Sequence, residues 1–572
     1  MTNFNTPAYP NDVHALMAIA RAGGKDAVRA ARRAAAATER AAPELAQEAL
    51  AIAIRLEPLD PSPRLALARL HAEAGNLADA RVEAAAVLAE AVDQAARARA
   101  AFILAEIARV EGASAQAREH YETVLAIEDG LLAADRGNPT AARWYARARG
   151  RIAELDMNAG ERNRAQTGAE GALALLRATA AAIGEPPVLA ADIADAEMRL
   201  AALELDSNQP ASARRRLGEA IGRYEALVVT EKDEPHWRAV LSDAWALAAE
   251  ADYARGASDA ARQAMQKALQ TRLVLAARYP NEDWALAGTW RVHAALHAAL
   301  GDNAIATQSF AQARAIAERL ASHNAQAEAP ARFLLHALLD QADHALRTQE
   351  LNVAREAADC ARMLAETFAH DRASAWLGDA GACWDRLGEI ARAANAGAAT
   401  LDAFQRAVEF RRLAREHAPE DARLVRALAA ALVKLGDASL AAEAYASARA
   451  ALHESVTLRF KLLETAPDHT RAAHALAAAL ERFGLAAQAL GDVSGARAAW
   501  EDELALAERI FHDDNSIDAL RFLAIVHAHL AQLGGVDSEL HRRAALERFD
   551  TLASAGALTE REAALRKKLW GA

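Results

Sequence analysis

The sequence is poor in the residues that build disulfide frameworks and zinc modules. Its 572 residues include two cysteines, Cys360 and Cys383, which are too few for either kind of scaffold. We expect both to be small buried hydrophobic residues. Aromatic residues are also scarce, at 5%, although 53% of the chain is hydrophobic. Alanine supplies much of that hydrophobic share, and alanine favours helix more than any other residue.

Long apolar runs are missing as well. No stretch of about 20 residues is apolar and free of charge, as a membrane-spanning helix requires. The N-terminal residues show no basic segment ahead of an apolar one and no small-residue cleavage site, so no secretory signal is readable. We therefore expect a cytoplasmic protein that does not bind a membrane.

Positive charge is not in excess. The formal net charge is -12, whereas a nucleic-acid-binding protein needs a basic patch or stripe. The basic runs are short and lie within helical patterns, which is typical of solvated helix faces: Arg32-Arg33, Arg214-Arg215-Arg216 and Arg566-Lys567-Lys568. The charge balance therefore predicts that the chain does not bind nucleic acid.

What the sequence does contain is a fixed spacing. Residues of one type recur at intervals of 48 in four series: Ala105, Ala153, Ala201 and Ala249; Gly388, Gly436 and Gly484; Pro139, Pro187 and Pro235; and Pro419 and Pro467. Single hydrophobic cores stop growing at roughly 250 to 300 residues, but an array of repeats escapes this limit because each repeat packs only on its neighbours. The spacing predicts one structural unit repeated along the chain.

Each repeat has the pattern of a helix hairpin, with a Gly or Asn break between two helical segments and a turn rich in Pro, Asp or Asn after them. In the clearest hairpin, motif offsets 7 and 8, 15, 20, 24, and 27 and 28 are occupied by Leu104-Ala105, Gly112, Ala117, Tyr121 and Val124-Leu125. This pattern resembles the tetratricopeptide repeat superfamily, in the long-helix form of bacterial proteins. Its signature has small residues at offsets 8, 20 and 27, a large residue at 24 and a helix breaker at 15; Val124 departs from it at offset 27.

The resemblance covers nearly the whole chain and implies an all-α protein, an α-solenoid of about twelve antiparallel hairpins in a right-handed superhelix. Offset 8 falls at Ala34, Ala68, Ala105, Ala153, Ala201, Ala249, Ala294, Ala342, Gly388, Gly436, Gly484 and Ala528. We predict a disordered N-terminus at 1–10, a continuous solenoid over 11–557 and a C-terminal capping helix at 558–572, where Thr559 and Glu562 have the capping-box pattern.

The repeats lengthen along the chain. They span 34 to 37 residues up to about residue 115 and mostly 44 to 48 residues after it. Structureless loops of the extra length are uncommon, and the added segments continue an apolar helical period up to the prolines. We therefore expect the second helix of the later hairpins to be extended by two or three turns.

A search for catalytic motifs finds none that holds. The fragment Gly23-Gly24-Lys25 lacks the upstream glycine of a phosphate-binding loop. His293 and His297 have the spacing of zinc ligands on one helix, but the third ligand and the adjacent carboxylate are missing, so we expect ordinary surface histidines. Arg412 and His417 fit a loose ribonuclease pattern that chance explains. We predict no enzymatic activity, no metal and no cofactor.

In the tetratricopeptide family, the first helix of each hairpin lines a concave groove, chiefly through offsets 2, 5, 6, 9, 12 and 13. Those offsets give nine candidate protein-binding residues: Arg151, Glu154, Arg199, Asp340, Asp343, Arg386, Glu389, Lys434 and Asp437. Their mixed charge suits a folded protein surface or a polar peptide better than a single acidic tail. Alternatively, Arg386 with Glu389, and Lys434 with Asp437, form ion pairs within their own helices.

The resemblance implies a non-enzymatic scaffold or adaptor that binds a partner protein or peptide in the groove. An alternative is a regulatory or sensor subunit that controls an effector enzyme on a separate chain. Homo-oligomerisation is compatible with both functions.

Overall fold

The structure, a computed structural model, describes residues 11–570 apart from 40–41, 232–233, 280–281, 324–326, 372–373, 420 and 466–469. Within these ranges the chain forms helices and short connections and contains no strand. The all-α prediction is therefore confirmed. The predicted disordered segment 1–10 and Pro467 lie outside the described residues.

The chain divides into two compact units, Met1–Glu282 (unit 1) and Asp283–Ala572 (unit 2). The helices of unit 1 are α1 (Asn11–Ala22), α2 (Ala27–Thr38), α3 (Pro43–Leu56), α4 (Pro61–Glu73), α5 (Leu77–Glu90), α6 (Gln94–Val110), α7 (Ser114–Ala134), α8 (Pro139–Asn158), α9 (Arg162–Ile183), α10 (Pro187–Asp206), α11 (Pro210–Thr230), α12 (Pro235–Ala254) and α13 (Ser258–Arg278). Those of unit 2 are α14 (Asp283–Ala299), α15 (Asn303–His323), α16 (Glu328–Arg347), α17 (Leu351–Asp371), α18 (Ser374–Ala393), α19 (Gly397–His417), α20 (Ala422–Ala441), α21 (Tyr445–Thr465), α22 (Thr470–Ala489), α23 (Val493–Asp514), α24 (Ile517–Gln532), α25 (Ser538–Ser554) and α26 (Glu560–Trp570). The predicted boundaries of one continuous solenoid and its capping helix stay a prediction.

Consecutive helices pack pairwise as antiparallel hairpins, each formed by an even-numbered helix and the odd-numbered helix that follows it. Between α1 and α26 the described helices make twelve such pairs, α2–α3 to α24–α25. Every predicted offset-8 residue is buried on the first helix of a pair. The prediction of an α-solenoid of about twelve hairpins is confirmed, while its superhelical handedness stays a prediction.

The turn inside a hairpin is built on one residue in the left-handed conformation. Gly112 has φ 78°, and the amide of Ala113 beyond it donates back to the carbonyl of Ala108 at 2.8 Å, which closes a Schellman motif. Gln349 and Asn395, with φ of 63° and 55°, take this role where the sequence has no glycine at the break. The left-handed turn residue of a hairpin is therefore kept at both of these breaks.

Residues at offsets 8 and 24 meet in the interior of several hairpins. Three hairpins of unit 2 place a glycine at offset 8 against a bulky residue at offset 24: Gly388 with Phe404, Gly436 with Leu452, and Gly484 with Trp500. A Cβ at Gly388 would lie 2.6 Å from the ring of Phe404, closer than non-bonded carbon atoms pack. In these three hairpins the two helices can approach closely because the residue at offset 8 is a glycine.

The second helix of the later hairpins is longer by about two turns, as expected, and the first helix is longer as well. Helices α4 and α5 have 13 and 14 residues, whereas α10 and α11 have 20 and 21. The first helix gains its residues at the N-terminal end, where Pro187 occupies the first turn of α10. Proline is favoured there because the first amides of a helix have no intrahelical acceptor. Pro139 and Pro235 start α8 and α12 in the same way.

The last helix, α26, packs on α24 and α25. Its predicted capping box is formed: the Glu562 amide donates to Thr559 Oγ1 at 3.3 Å, and the Thr559 amide donates to Glu562 Oε2 at 2.9 Å. None of the described helices combines the length and the apolarity that a bilayer crossing requires.

Candidate functional site

Most first helices contact the first helix of a neighbouring hairpin directly, from α4 to α12 in unit 1, and from α14 to α18 and between α20 and α22 in unit 2. The even-numbered helices therefore share one side of each unit, which we call the first-helix face. All nine candidate residues lie on these helices, in α8, α10, α16, α18 and α20. The candidate residues thus lie on the first helices of their hairpins, as the resemblance implies.

Charged side chains on the first-helix face pair between neighbouring hairpins. An acid at offset 9 of one hairpin contacts a base at offset 6 of the next in five places, which we call the first-helix ladder: Glu106–Arg151 at 2.9 Å, Glu154–Arg199 at 3.1 Å, Asp343–Arg386, Glu389–Lys434 at 3.3 Å, and Asp437–Arg482 at 2.9 Å. Four of the five pairs are 45 residues apart. This separation is the repeat of 48 residues less the three residues between the two offsets.

The first-helix ladder shows which partners the charged candidate residues have. Arg386 and Glu389 do not pair with each other among the described residues, nor do Lys434 and Asp437; each contacts a neighbouring hairpin instead. The alternative of pairs within these two helices is therefore wrong. The ninth candidate, Asp340, also reaches across, to Arg291 at 2.6 Å. Recurrence of acid and base at a separation of 45 residues is the sequence signal that identifies the ladder.

We expect each ladder pair to stabilise the contact between two hairpins modestly. In a double-mutant cycle with Glu154→Gln and Arg199→Gln, the coupling energy should be about 0.3 to 1 kcal/mol and should fall as salt is added. Local unfolding free energies from hydrogen exchange of the α8 and α10 amides would measure it. The exposed pair Arg406 and Glu409, within one helix, is the control and should couple less. Coupling that is no larger than in this control would contradict a role for the ladder in inter-hairpin packing.

The first-helix face of unit 1 contains a cavity of about 660 Å³ that we call the Trp144 groove. Four successive first helices, α4, α6, α8 and α10, supply most of its lining. Its apolar lining includes Leu65, Phe102, Ile103, Val110 and Trp144, and its charged lining consists of Arg69, Glu73, Arg99, Glu106, Arg147, Arg151, Asp195 and Arg199. Cavities of this size, largely apolar with a few placed polar groups, are the usual form of a binding site.

Aromatic contacts fix the floor of the Trp144 groove. The ring of Phe102 lies edge-on to Trp144, with centroids 5.3 Å apart, and edge-on to Tyr121 at 5.5 Å. The guanidinium of Arg147 lies 5.1 Å from the Trp144 ring centroid, and that of Arg99 lies 6.0 Å from it on a neighbouring helix. Stacked aromatic and guanidinium groups lose little freedom on binding, so the floor is preorganised.

The ladder pair of Glu106 and Arg151 also affects the ionisation of Glu106 inside the groove. Burial raises the pKa of Glu106, but Arg151, the Tyr121 hydroxyl and Arg109 outweigh burial and leave this pKa lowered. Glu106 accepts a hydrogen bond from Tyr121 at 2.5 Å and pairs with Arg151 at 2.9 Å. Its carboxylate is therefore ionised and already engaged at neutral pH.

Sequence reasoning placed Arg151 and Arg199 in the groove but missed its aromatic floor. Applied to α6, the family offsets 2, 5 and 13 would have given Arg99, Phe102 and Val110, all of which line the groove. Trp144 could not be found in this way, because it lies in the N-terminal extension of α8, ahead of the offsets that the 34-residue signature covers.

In unit 2 a cavity of about 460 Å³ lies on the first-helix face. Three candidate residues, Asp340, Asp343 and Arg386, line it together with Phe310. Burial raises the pKa of Asp343, and its ion pair with Arg386 opposes this effect. The structure thus brings these three residues together, while Arg151, Glu154 and Arg199 lie in unit 1.

The two histidines with zinc-ligand spacing are not surface residues, so that expectation is wrong. His293 and His297 are 8% and 6% exposed. His293 Nδ1 is 2.9 Å from Ser309 Oγ, and His297 Nδ1 is 3.0 Å from Asp302 Oδ2. Burial lowers the pKa of His293 to about 4. Both rings are thus held by contacts within their own hairpin. The described part of the chain contains no group of three or more His, Cys, Asp or Glu side chains that could hold a metal ion.

No protein-family model matches the sequence, and no curated protein matches it. Among solved structures, the chain is similar to yeast Tom70, with 13% identity, 88% of this chain and 96% of that chain covered, and a TM-score of 0.39. It is similar to the apo form of RapI, with 11% identity, 71% and 98% covered, and a TM-score of 0.41. It is also similar to the human IFIT1 dimer with m7Gppp-AAAA, with 14% identity, 87% and 96% covered, and a TM-score of 0.37. At these identities and TM-scores, the likeness carries no conclusion about what this chain binds.

Proposed function

We propose that this chain is a non-enzymatic scaffold that binds a segment of a partner protein along its first-helix face. The observation that carries the proposal is the Trp144 groove, where aromatic and aliphatic side chains are presented by three consecutive hairpins and charged side chains by a fourth. Repeat arrays use extended surfaces of this kind for binding. The nine candidate residues would then line the binding face in both units.

The groove has the composition of an interaction site. Binding energy at protein interfaces is concentrated in Trp, Tyr and Arg residues that sit in preformed pockets, and Trp144, Arg99 and Phe102 form such a group. The ladder residues are paired to one another, so they contribute chiefly by holding the helices at a fixed spacing. The apolar floor, rather than the ladder, would supply most of the affinity.

A photocrosslinking experiment in the native host tests this proposal. The photoreactive residue p-benzoylphenylalanine replaces either Val110, which lines the groove and is 63% exposed, or Val82 on α5, which is outside the groove lining and 66% exposed. We expect a discrete crosslinked adduct from position 110 and none from position 82, read by mass spectrometry. Equal adducts at both positions, or adducts at 82 alone, would refute binding on the first-helix face.

A further inference from the structure

One arginine in the Trp144 groove differs from the others. Arg69, Arg147, Arg151 and Arg199 each form an ion pair with a carboxylate. Arg99 lines the same cavity and is half-buried, yet it has no ion pair and no hydrogen bond within the described ranges. Its guanidinium lies over the Trp144 ring, 6.0 Å from the ring centroid. A guanidinium that is partly desolvated and lacks a carboxylate partner is a recognition element for an anionic group.

The neighbours of Arg99 leave it cationic and available. An acid on α7, Glu128, interacts with it electrostatically. Glu128 is 1% exposed, and its two carboxyl oxygens accept no hydrogen bond from the part of the chain that the structure describes. Burial raises the pKa of Glu128 to about 7, with Arg99 opposing the rise. Near neutral pH this carboxyl is therefore partly protonated, and it does not neutralise Arg99 fully.

The groove fits an acidic peptide better than a nucleic acid. The Trp144 ring is already contacted by Arg99, Arg147 and the edge of Phe102, which leaves little free face for stacking a base. Glu73, Glu106 and Asp195 line the same cavity and would repel a run of phosphates. A carboxylate next to an apolar side chain, in contrast, matches the guanidinium of Arg99 beside the apolar lining of the cavity.

We propose that the Trp144 groove recognises a peptide segment that carries a large aliphatic or aromatic side chain and, within one or two residues of it, a carboxylate that pairs with Arg99. The apolar side chain occupies the part of the cavity lined by Leu65, Ile103 and Val110. This inference rests on the proposed function and gives it a ligand class. The pair with Arg99 supplies selectivity, and burial of the apolar side chain supplies most of the affinity.

Selection from a display library of random twelve-residue peptides on the full chain tests the ligand class. Peptides that bind the native chain and are lost on Phe102→Asp are retained, because these depend on the groove. We expect the retained pool to be enriched in Asp or Glu next to Leu, Ile, Phe or Trp. A groove-dependent pool that lacks acidic residues, or is enriched in Lys and Arg, overturns the ligand class while leaving the proposed function intact.

The role of Arg99 is tested with the consensus peptide of that pool by fluorescence anisotropy. Arg99→Glu should weaken binding at least about tenfold, whereas Arg99→Lys, which keeps the charge, should weaken it about threefold or less. Arg33→Glu, an exposed residue of α2 with the same change of net charge, should have no effect. Equal affinity in Arg99→Glu and wild type overturns the assignment of Arg99.

Two further outcomes separate this inference from the proposed function. A ten-nucleotide polyadenylate RNA that binds with Arg99-dependent affinity and competes with the peptide would overturn the choice of an acidic peptide. If no groove-dependent peptide is enriched and crosslinking at position 110 also yields no adduct, both the ligand class and the proposed function fail. If no groove-dependent peptide is enriched but crosslinking at position 110 does yield an adduct, the proposal of a short peptide as the ligand fails and the proposed function stands.

Discussion

Replacing Gly484 by alanine should destabilise the hairpin formed by α22 and α23 by about 2 kcal/mol. A Cβ at Gly484 would overlap the indole of Trp500, which is fully buried. Trp500 is held in place, because its Nε1 donates to the Glu481 carbonyl at 3.3 Å and its ring stacks on His529 with centroids 4.8 Å apart. Overpacking of a rigid core typically costs about 1 to 3 kcal/mol.

The sign of this effect is what makes the test specific. Glycine inside a helix is normally less stable than alanine, by roughly 0.5 to 1 kcal/mol. At Gly288 in α14 an added Cβ would meet no atom of the described residues within 4 Å, so Gly288→Ala should stabilise unit 2 by roughly 0.5 to 1 kcal/mol. Hydrogen exchange of the α14, α22 and α23 amides reports both changes locally, which is preferable because a long repeat array need not unfold in one step.

A second substitution distinguishes overpacking from other causes. In a Trp500→Leu background the space beside Gly484 is enlarged, so Gly484→Ala should be nearly neutral there. The coupling energy between the two positions should then exceed about 1 kcal/mol. If Gly484→Ala stabilises the native chain, as Gly288→Ala should, then Gly484 and Trp500 are not in close contact and the overpacking explanation is refuted.

This packing also shows why the repeat could be predicted from the sequence. The residues at offsets 8 and 24 are constrained by their contact within one hairpin, so a small residue and a large residue recur at this spacing from repeat to repeat. Ala105 with Tyr121 and Gly484 with Trp500 are two versions of it, a small residue facing a large one. Helix number and hairpin pairing follow from that recurrence.

Features that depend on neighbouring hairpins were harder to predict. Glu154 and Arg151 are three residues apart, which suggests one local pair, yet Glu154 also contacts Arg199, 45 residues further on. A local rule cannot choose between these partners, because the choice depends on how closely the helices pack. Trp144 was missed for a related reason: α8 begins at Pro139, ahead of the signature that defines the offsets.

The second large effect is expected at Glu503, whose replacement by glutamine should make unit 2 more stable at alkaline pH, by about 2 kcal/mol. Glu503 is 1% exposed on α23, and neither of its carboxyl oxygens accepts a hydrogen bond from the described residues. Burial, and secondarily the charge of Glu481, raise the pKa of Glu503 well above its usual range, while Arg482 opposes the rise. An ionised carboxylate in this position lacks the hydrogen bonds that would offset its desolvation.

The direction of the pH dependence follows from the raised pKa. Below about pH 4.3, the unperturbed value for glutamate, the side chain is protonated in both the folded and the unfolded chain, and no stability is lost. As the pH rises from there to the folded-state pKa, the unfolded chain releases its proton while the folded chain keeps it. The free energy of unfolding therefore falls by up to about 1.4 kcal/mol per pH unit. Above the folded-state pKa the loss is complete and constant.

This loss can be measured as the change in the urea unfolding midpoint between pH 5 and pH 9. Hydrogen exchange of the α23 amides, corrected for the intrinsic exchange rate at each pH, would then locate it. Glu503→Gln should flatten the pH dependence, because glutamine cannot ionise. Glu501 lies two residues away on the same helix and is exposed, so Glu501→Gln should leave the profile of the native chain unchanged. If Glu503→Gln and Glu501→Gln give the same profile, Glu503 is hydrated or paired in solution, and the buried carboxyl described in α23 is wrong.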